Sequence, residues 1–424
     1  MNEFANLKDD DITIKKIAKN LSKKKDKVPI GIALEETLEI LHSISPNSSK
    51  SLVLAWITDM MFENKRIYLG KKMGLESMRY AKKIDDLEER CKTLSNLASV
   101  FGKRNFHDLA DNIHELAFNT VNEIEREEKR VITAIHIVED QIEAGYEEKA
   151  RIELNNIVEK ALTIAEENKD IFPIALCVET GAKVEIEDID DLFKKTIELV
   201  EKEDIKKNND IPWIKTCLVN ASIILNRINK ADELTSHLKS QEEKNLQLAD
   251  IIETYSNEGF FRKAGSLLRH IDNKNIRDSA IESLVENYLK RDEIDKAMDY
   301  YRDIESSFEK DLASKKIAIY YAQIEEYEKA EEFIYSIADN QLKIFSELEL
   351  AEIYMKNNRI KKSRERTLQA LKKGKKTDSD SIKLELVKSL IQVGFQKEAF
   401  DLSEKIDVLE EKAMAFGAIA AYHQ

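Results

Sequence analysis

The chain has 424 residues, with 67 lysines and arginines against 81 aspartates and glutamates, a formal net charge of −14. At 42% hydrophobic and 35% charged residues it is too apolar for a disordered chain and apolar enough to bury a sizeable core. Eleven glycines and four prolines are too few for the many turns of a β-sandwich or barrel, which leaves long helices joined by short connections.

From the N-terminus, residues 1–28 form a lysine-rich segment, with seven lysines against one aspartate between 15 and 27. It has no apolar stretch resembling a secretory leader, and no later apolar run approaches the ~20 residues that span a bilayer. A cytoplasmic protein with no membrane partner is therefore expected. Cys91, Cys177 and Cys217 lie far apart with no CxxC pair, which fits a reducing compartment.

Residues 29–210 read as a divergent helical-repeat region. Ala33, Ala110 and Ala150 look like copies of one small-residue position, with Phe101 nine residues before Ala110 and Ser77 another 33 residues upstream of it. The next copy is expected near Asp191 or Leu192, where its anchor is blurred, and Ala231 resumes the series. Residues 211–424 are regular. Tyr255, Tyr288, Tyr321 and Tyr354 recur every 33 residues, each followed nine residues later by Ala264, Ala297, Ala330 or Ser363. Ile271, Ile304, Ile337 and Ala370 form a third column, and Leu390 and Ala399 keep the nine-residue offset beyond a longer connection.

Each unit reads as two amphipathic helices. Asn257-Glu258-Gly259 and Asn357-Asn358 break the pattern between them. The small column lets the paired helices approach closely, and the tyrosine fills the space beside that contact. One such hairpin cannot bury its own apolar face, so neighbours must stack. The predicted fold is all-α: an α-solenoid of about eleven stacked antiparallel hairpins.

Leu350-Ala351-Glu352-Ile353-Tyr354, Ala264-x-x-x-Leu268 and Ala297-x-x-x-Tyr301 resemble the signature positions of the tetratricopeptide (TPR) repeat family. The resemblance runs over about residues 244–399. The period is 33 rather than 34, and the family's initial Trp and closing Pro are missing. The resemblance implies a right-handed superhelix whose groove, lined by first helices, binds a partner protein or peptide.

Nothing in the sequence argues for catalysis. No Gly-rich phosphate loop or HExxH occurs. His107 and His114, seven residues apart, read as surface histidines, and the acidic run from Glu185 to Asp191 lacks the spacing of a cation loop. No enzyme, cofactor or metal is expected.

At about 100° per residue, the position two before each tyrosine points away from the packed face. It holds Glu253, Glu286, Ile319 and Glu352; six before the tyrosine come Ala249, Glu282, Lys315 and Leu348. Carried onto the resemblance, these positions line a mildly acidic groove suited to a basic or amphipathic partner. The last segment, with Met414, Phe416, Ile419 and Tyr422 among alanines, reads as an exposed apolar patch for homodimerisation. The functional expectation is a non-enzymatic protein-interaction scaffold. Its rival is nucleic-acid or anionic-surface binding through the basic stretch 359–376 and the N-terminal lysines, which the net acidity disfavours.

Overall fold

The computed structural model describes residues 14–21, 23, 28–202, 211–236, 241–374 and 377–422, and among them are α-helices, one 3₁₀ turn and no strand. The solenoid is all-α, as predicted. In chain order the helices are α1 (Ile14–Leu21), α2 (Val28–Ser43), α3 (Asn47–Glu63), α4 (Ile67–Ala81), α5 (Leu87–Lys103), α6 (His107–Val121), α7 (Glu127–Glu143) and α8 (Glu147–Glu167). There follow α9 (Phe172–Val184), α10 (Ile189–Lys202), α11 (Ile211–Ile224), α12 (Ile228–Ser236), α13 (Gln241–Asn257), α14 (Phe261–Leu267), α15 (Lys274–Leu289) and α16 (Ile294–Asp303). The chain continues with α17 (Ser307–Gln323), α18 (Tyr327–Ser336), α19 (Asn340–Lys356), α20 (Ile360–Gly374), α21 (Asp380–Gln392), α22 (Gln396–Ser403) and α23 (Leu409–Tyr422). Taken pairwise from α1, these make eleven hairpins and one unpaired last helix. The lysine-rich N-terminal segment lies largely outside the described residues.

One turn geometry recurs in every hairpin from α3/α4 onward. An anchor residue near the end of the first helix accepts, on its carbonyl, the N–H five residues later: Arg66 to Met61, Phe106 to Phe101, Tyr146 to Gln141, Ile186 to Gly181 and Arg227 to Ser222. The same bond runs from Phe260 to Tyr255, Glu293 to Tyr288, Glu326 to Tyr321, Arg359 to Tyr354 and Phe395 to Leu390. The residue between, four after the anchor, is left-handed each time, whether Gly145, Gly259 and Gly394 or Lys65, Asn105 and Asp292. This closes the first helix with its last carbonyls satisfied. The anchors reveal the period: about 40 residues from Met61 to Ser222, then 33 from Ser222 to Tyr354.

That register corrects two readings of the divergent half. The small residue beside the α3/α4 turn is Gly70, nine after Met61, and Ser77 lies two turns further along α4, where its hydroxyl donates to the Ser51 carbonyl. In the blurred unit the ninth position is Asp190, which is exposed. There the small residue has moved to the first helix: a Cβ on Gly181 would stand 2.8 Å from Ile186 Cδ1.

Ten residues before the anchor, a buried polar side chain ties successive hairpins together. Asn245 Oδ1 accepts from the Asp272 N–H at 3.0 Å, and Asp278 Oδ2 accepts from Glu305 and Ser306 at 3.1 and 2.6 Å. Asp311 caps Ala338 and Asp339 likewise, and Asp380 caps Asp407 and Val408. In the Tyr354 unit the position is Ile344, buried instead among apolar neighbours.

The chain divides into two compact units. Unit 1 comprises Met1–Ile124, Glu143–Gly145 and Ile344–Gln424. Its core joins the beginning and end of the chain, because α23 packs against α2, α3, α21 and α22. Phe416 and Ile419 are each 2% exposed, so the apolar patch expected on α23 is not a solvent face. Helices α2 and α3 cover it, as a second hairpin member would, while Tyr422 is half-buried with its hydroxyl accepting from Gln392 Nε2 at 3.0 Å. Unit 2 comprises Glu125–Ile142 and Tyr146–Lys343, and in it first helices lie side by side: α9 on α11, α11 on α13, α13 on α15 and α15 on α17.

Candidate interaction surface

Because first helices pack on first helices, residues at one register form rows across unit 2. Six and two residues before the anchors on α15 stand Glu282 and Glu286, and Lys316 of α17 reaches both, at 2.5 Å to Glu282. Lys290 adds a second contact to Glu286 at 2.7 Å. Burial pushes the Glu286 carboxyl up, but the hydrogen bonds from Lys290 and Lys316 outweigh it and hold the group below the usual carboxylate range. Burial pulls Lys316 down, and Glu282 and Glu286 together carry it above the usual lysine value. Glu253 is exposed on α13, and Lys315 and Ile319 are half-buried on α17.

The remaining two predicted groove residues belong to unit 1. Leu348 is 4% exposed and part of the apolar core, so it does not line a groove. Its register, six before Tyr354, is turned inward by the neighbouring helices. Glu352 pairs with Lys356 at 2.8 Å on the rim of a cavity of about 720 Å³. The cavity's arginines hold helix ends: Arg66 Nε donates to the Ala421 carbonyl at 3.4 Å and Arg364 Nε to the Val393 carbonyl at 3.0 Å.

The anchor register also exposes positions that the tyrosine columns could not reach. Two before Gln141, Gly181 and Ser222 come Glu139, Glu179 and Asn220, which continue the row of Glu253 and Glu286. They are linked: Asn220 Nδ2 donates to Glu179 Oε1 at 3.1 Å and to Asp250 Oδ2 at 2.9 Å, and Asn220 Oδ1 accepts from Thr254 at 3.1 Å. Lys183 lies 3.4 Å from Glu139. Burial raises Glu179, against the lowering effect of Cys217, Lys183 and Asn220. Nine before the anchors, two helical turns from the acidic row, lie Ile132, Phe172, Trp213 and Leu246, of which Trp213 is 52% and Leu246 53% exposed. The sequence held a faint signal for this register in Gly145 and Asn226, the turn residues four after Gln141 and Ser222.

The other candidates do not assemble into a reactive site. His107 is exposed, but His114 is buried in α6, not on the surface as expected. Among the described residues no group of three or more His, Cys, Asp or Glu is placed to hold a metal ion. Burial pushes the Cys91 thiol up to about 12, and burial likewise raises Cys177 and Cys217, so all three are protonated near neutrality. Within the basic stretch, α20 buries Ser363, Thr367, Ala370 and Leu371 and leaves Lys361, Lys362 and Lys372 exposed, while Lys373 pairs with the buried Glu347. Lys375 and Lys376 lie outside the described residues. Among the described residues no helix is long and apolar enough to cross a membrane.

No family model matches the chain, and no curated protein matches its sequence. Among solved structures, Ton1535 from Thermococcus onnurineus NA1 is similar at a TM-score of 0.32 and 15% identity, over 73% of this chain and 93% of that one, a likeness too distant to bear on fold or function.

Proposed function

We propose that this chain is a divergent TPR-like scaffold, non-enzymatic, that binds a partner protein or peptide on the exposed face of its first helices. The reading rests on one observation above the rest. In unit 2 the register two before the anchor carries carboxylates that reach the surface, exposed at Glu253 and half-buried at Glu139, Glu179 and Glu286, with Asn220 buried among them, while the anchors from Gln141 to Tyr288 are buried. A repeat that spends one helix face on stacking has the opposite face free for recognition. The Tyr-to-Ala offset of the 33-residue units supports the TPR likeness; the 40-residue units depart from it.

Affinity capture from native lysate, with and without nuclease, tests the proposal by comparing the parent with a Glu253/Glu286/Glu352→Lys variant. Proteins retained by the parent after nuclease and lost by the variant are the expected result. Recovery that collapses with nuclease and ignores the variant favours the second reading, in which the exposed basic side of α20 binds nucleic acid or an anionic surface.

A further inference from the structure

The first-helix face of unit 2 is not uniform along its rows. The eight positions two and five residues before the anchors of α7, α9, α11 and α13 hold Glu139, Glu179, Asp250 and Glu253, and no lysine or arginine. Two helical turns toward the start of the same helices the row becomes apolar. Single exposed hydrophobics on a surface need no explanation. Here Trp213 and Leu246, both more than half exposed, occupy one register on α11 and α13, which pack directly against each other, and half-buried Phe172 extends that register to α9, the next helix in contact. An apolar row flanked lengthwise by an acidic row is complementary to a segment with the opposite pairing.

We propose that this face docks a cationic amphipathic helix from a partner protein, its apolar side on Phe172, Trp213 and Leu246 and its basic side toward Asp250 and Glu253. The dimensions agree. Packed helices stand about 8–10 Å apart, and seven residues of helix rise about 10.5 Å, so a helix crossing α9, α11 and α13 sets one apolar residue per heptad on each row member. Three such contacts take about 15 residues. Nucleic acid and acidic peptides meet carboxylates here and are repelled. A second copy of this face sets acid against acid, so the occupant is basic. The inference rests on the scaffold reading and narrows its partner.

The test is fluorescence anisotropy on the full chain with three labelled synthetic peptides of about 15 residues. One carries leucine at heptad spacing with lysine on its flank, one has glutamate in place of lysine, and one has serine in place of leucine. The Leu/Lys peptide is expected to bind, with affinity falling as salt rises. The other two should bind at least about tenfold more weakly. Trp213→Ser with Leu246→Ser, and separately Glu253→Lys, should each weaken the Leu/Lys peptide about tenfold. These positions are exposed, and circular dichroism of each variant is the check that it is folded. Equal binding of the Ser/Lys peptide, equal binding by the variants, or no binding of the Leu/Lys peptide overturns the inference. If lysate capture still depends on the glutamate row in that event, the scaffold reading stands and only the partner class falls.

Discussion

Gly417 on the last helix lies directly against Ile57 on α3, so closely that a Cβ added to the glycine would stand 2.6 Å from Ile57 Cγ1. Any side chain at 417 must displace a fully buried isoleucine. This close approach is how unit 1 seals its two chain ends into one core. It also explains why α23 is rich in alanine: small residues let it sit against both α2 and α3.

Gly417→Ala is therefore expected to destabilise unit 1 despite alanine's helical preference. Overpacking costs about 1–3 kcal/mol, against a propensity gain of about 1 kcal/mol. The sharper readout is a double-mutant cycle. In an Ile57→Ala background the added methyl meets no branch, so Gly417→Ala should become neutral or stabilising. Urea denaturation of the four proteins measures the coupling, and additive effects would show that the two residues do not meet.

Phe416 is a second pin of the same seam, 2% exposed with its ring 5.8 Å from Phe400. Phe416→Ala should cost about 3–5 kcal/mol, as for other aromatic core truncations. The molecular mass by light scattering should stay that of the parent, because the ring is occupied within the chain. A parent that is dimeric and a variant that is monomeric would return the ring to an intermolecular role.

Asp380 gives a pH-dependent test. Burial pushes its carboxyl up, but Lys383 and the N–H groups of Val408 and Asp407 outweigh that and hold it below its ordinary 3.8. A depressed carboxyl contributes stability above its unfolded value and loses it as the pH falls through the folded one. Asp380→Ala should lower stability at neutral pH by about 1–3 kcal/mol, the cost of leaving charged hydrogen bonds unmade. The gap between parent and variant should close on acidification below about pH 4. A gap independent of pH would mean that the carboxylate charge is not what holds the 407–408 turn.

The regular half of the solenoid was legible because its anchors are large. Tyr255, Tyr288 and Tyr354 are buried near the ends of their first helices, and one residue type repeats at one spacing. In the earlier half the residue at the anchor changes from unit to unit, Met61 and Phe101 being followed by Gln141, Gly181 and Ser222. With no one residue type at the anchor and a period near 40 rather than 33, the column vanishes from the sequence although the turn geometry persists. The seam was illegible for a different reason. The apolar side of α23 was plain in Phe416 and Ile419, but its cover, α2 and α3, lies more than 350 residues away in the chain. Of the candidate surface, Glu253 and Glu286 followed from helical geometry alone, whereas Trp213 and Glu139 depended on a register that only the turns reveal.

The Lys316 cluster offers a test of that surface's electrostatics. Glu282 has only 10% of its side chain exposed, and Lys316 is the cation placed on it. Lys316→Met leaves that carboxylate close to Glu286 with the shared positive charge gone. Breaking a fully buried pair costs about 3–5 kcal/mol, and this pair, with the lysine side chain 31% exposed, should cost less, about 1–2 kcal/mol. Glu282→Gln in the same background removes the stranded charge and should restore most of the loss. The sign with pH follows from the two shifts. Glu286 is lowered, so its contribution fades as the pH falls below about 4, and Lys316 is raised, so its contribution persists until the pH passes the ordinary lysine value near 10.5. Parent minus Lys316→Met stability, measured by urea denaturation, should therefore be flat between about pH 5 and 10 and shrink outside that window. A difference that varies across neutrality would place a different titrating group in the cluster.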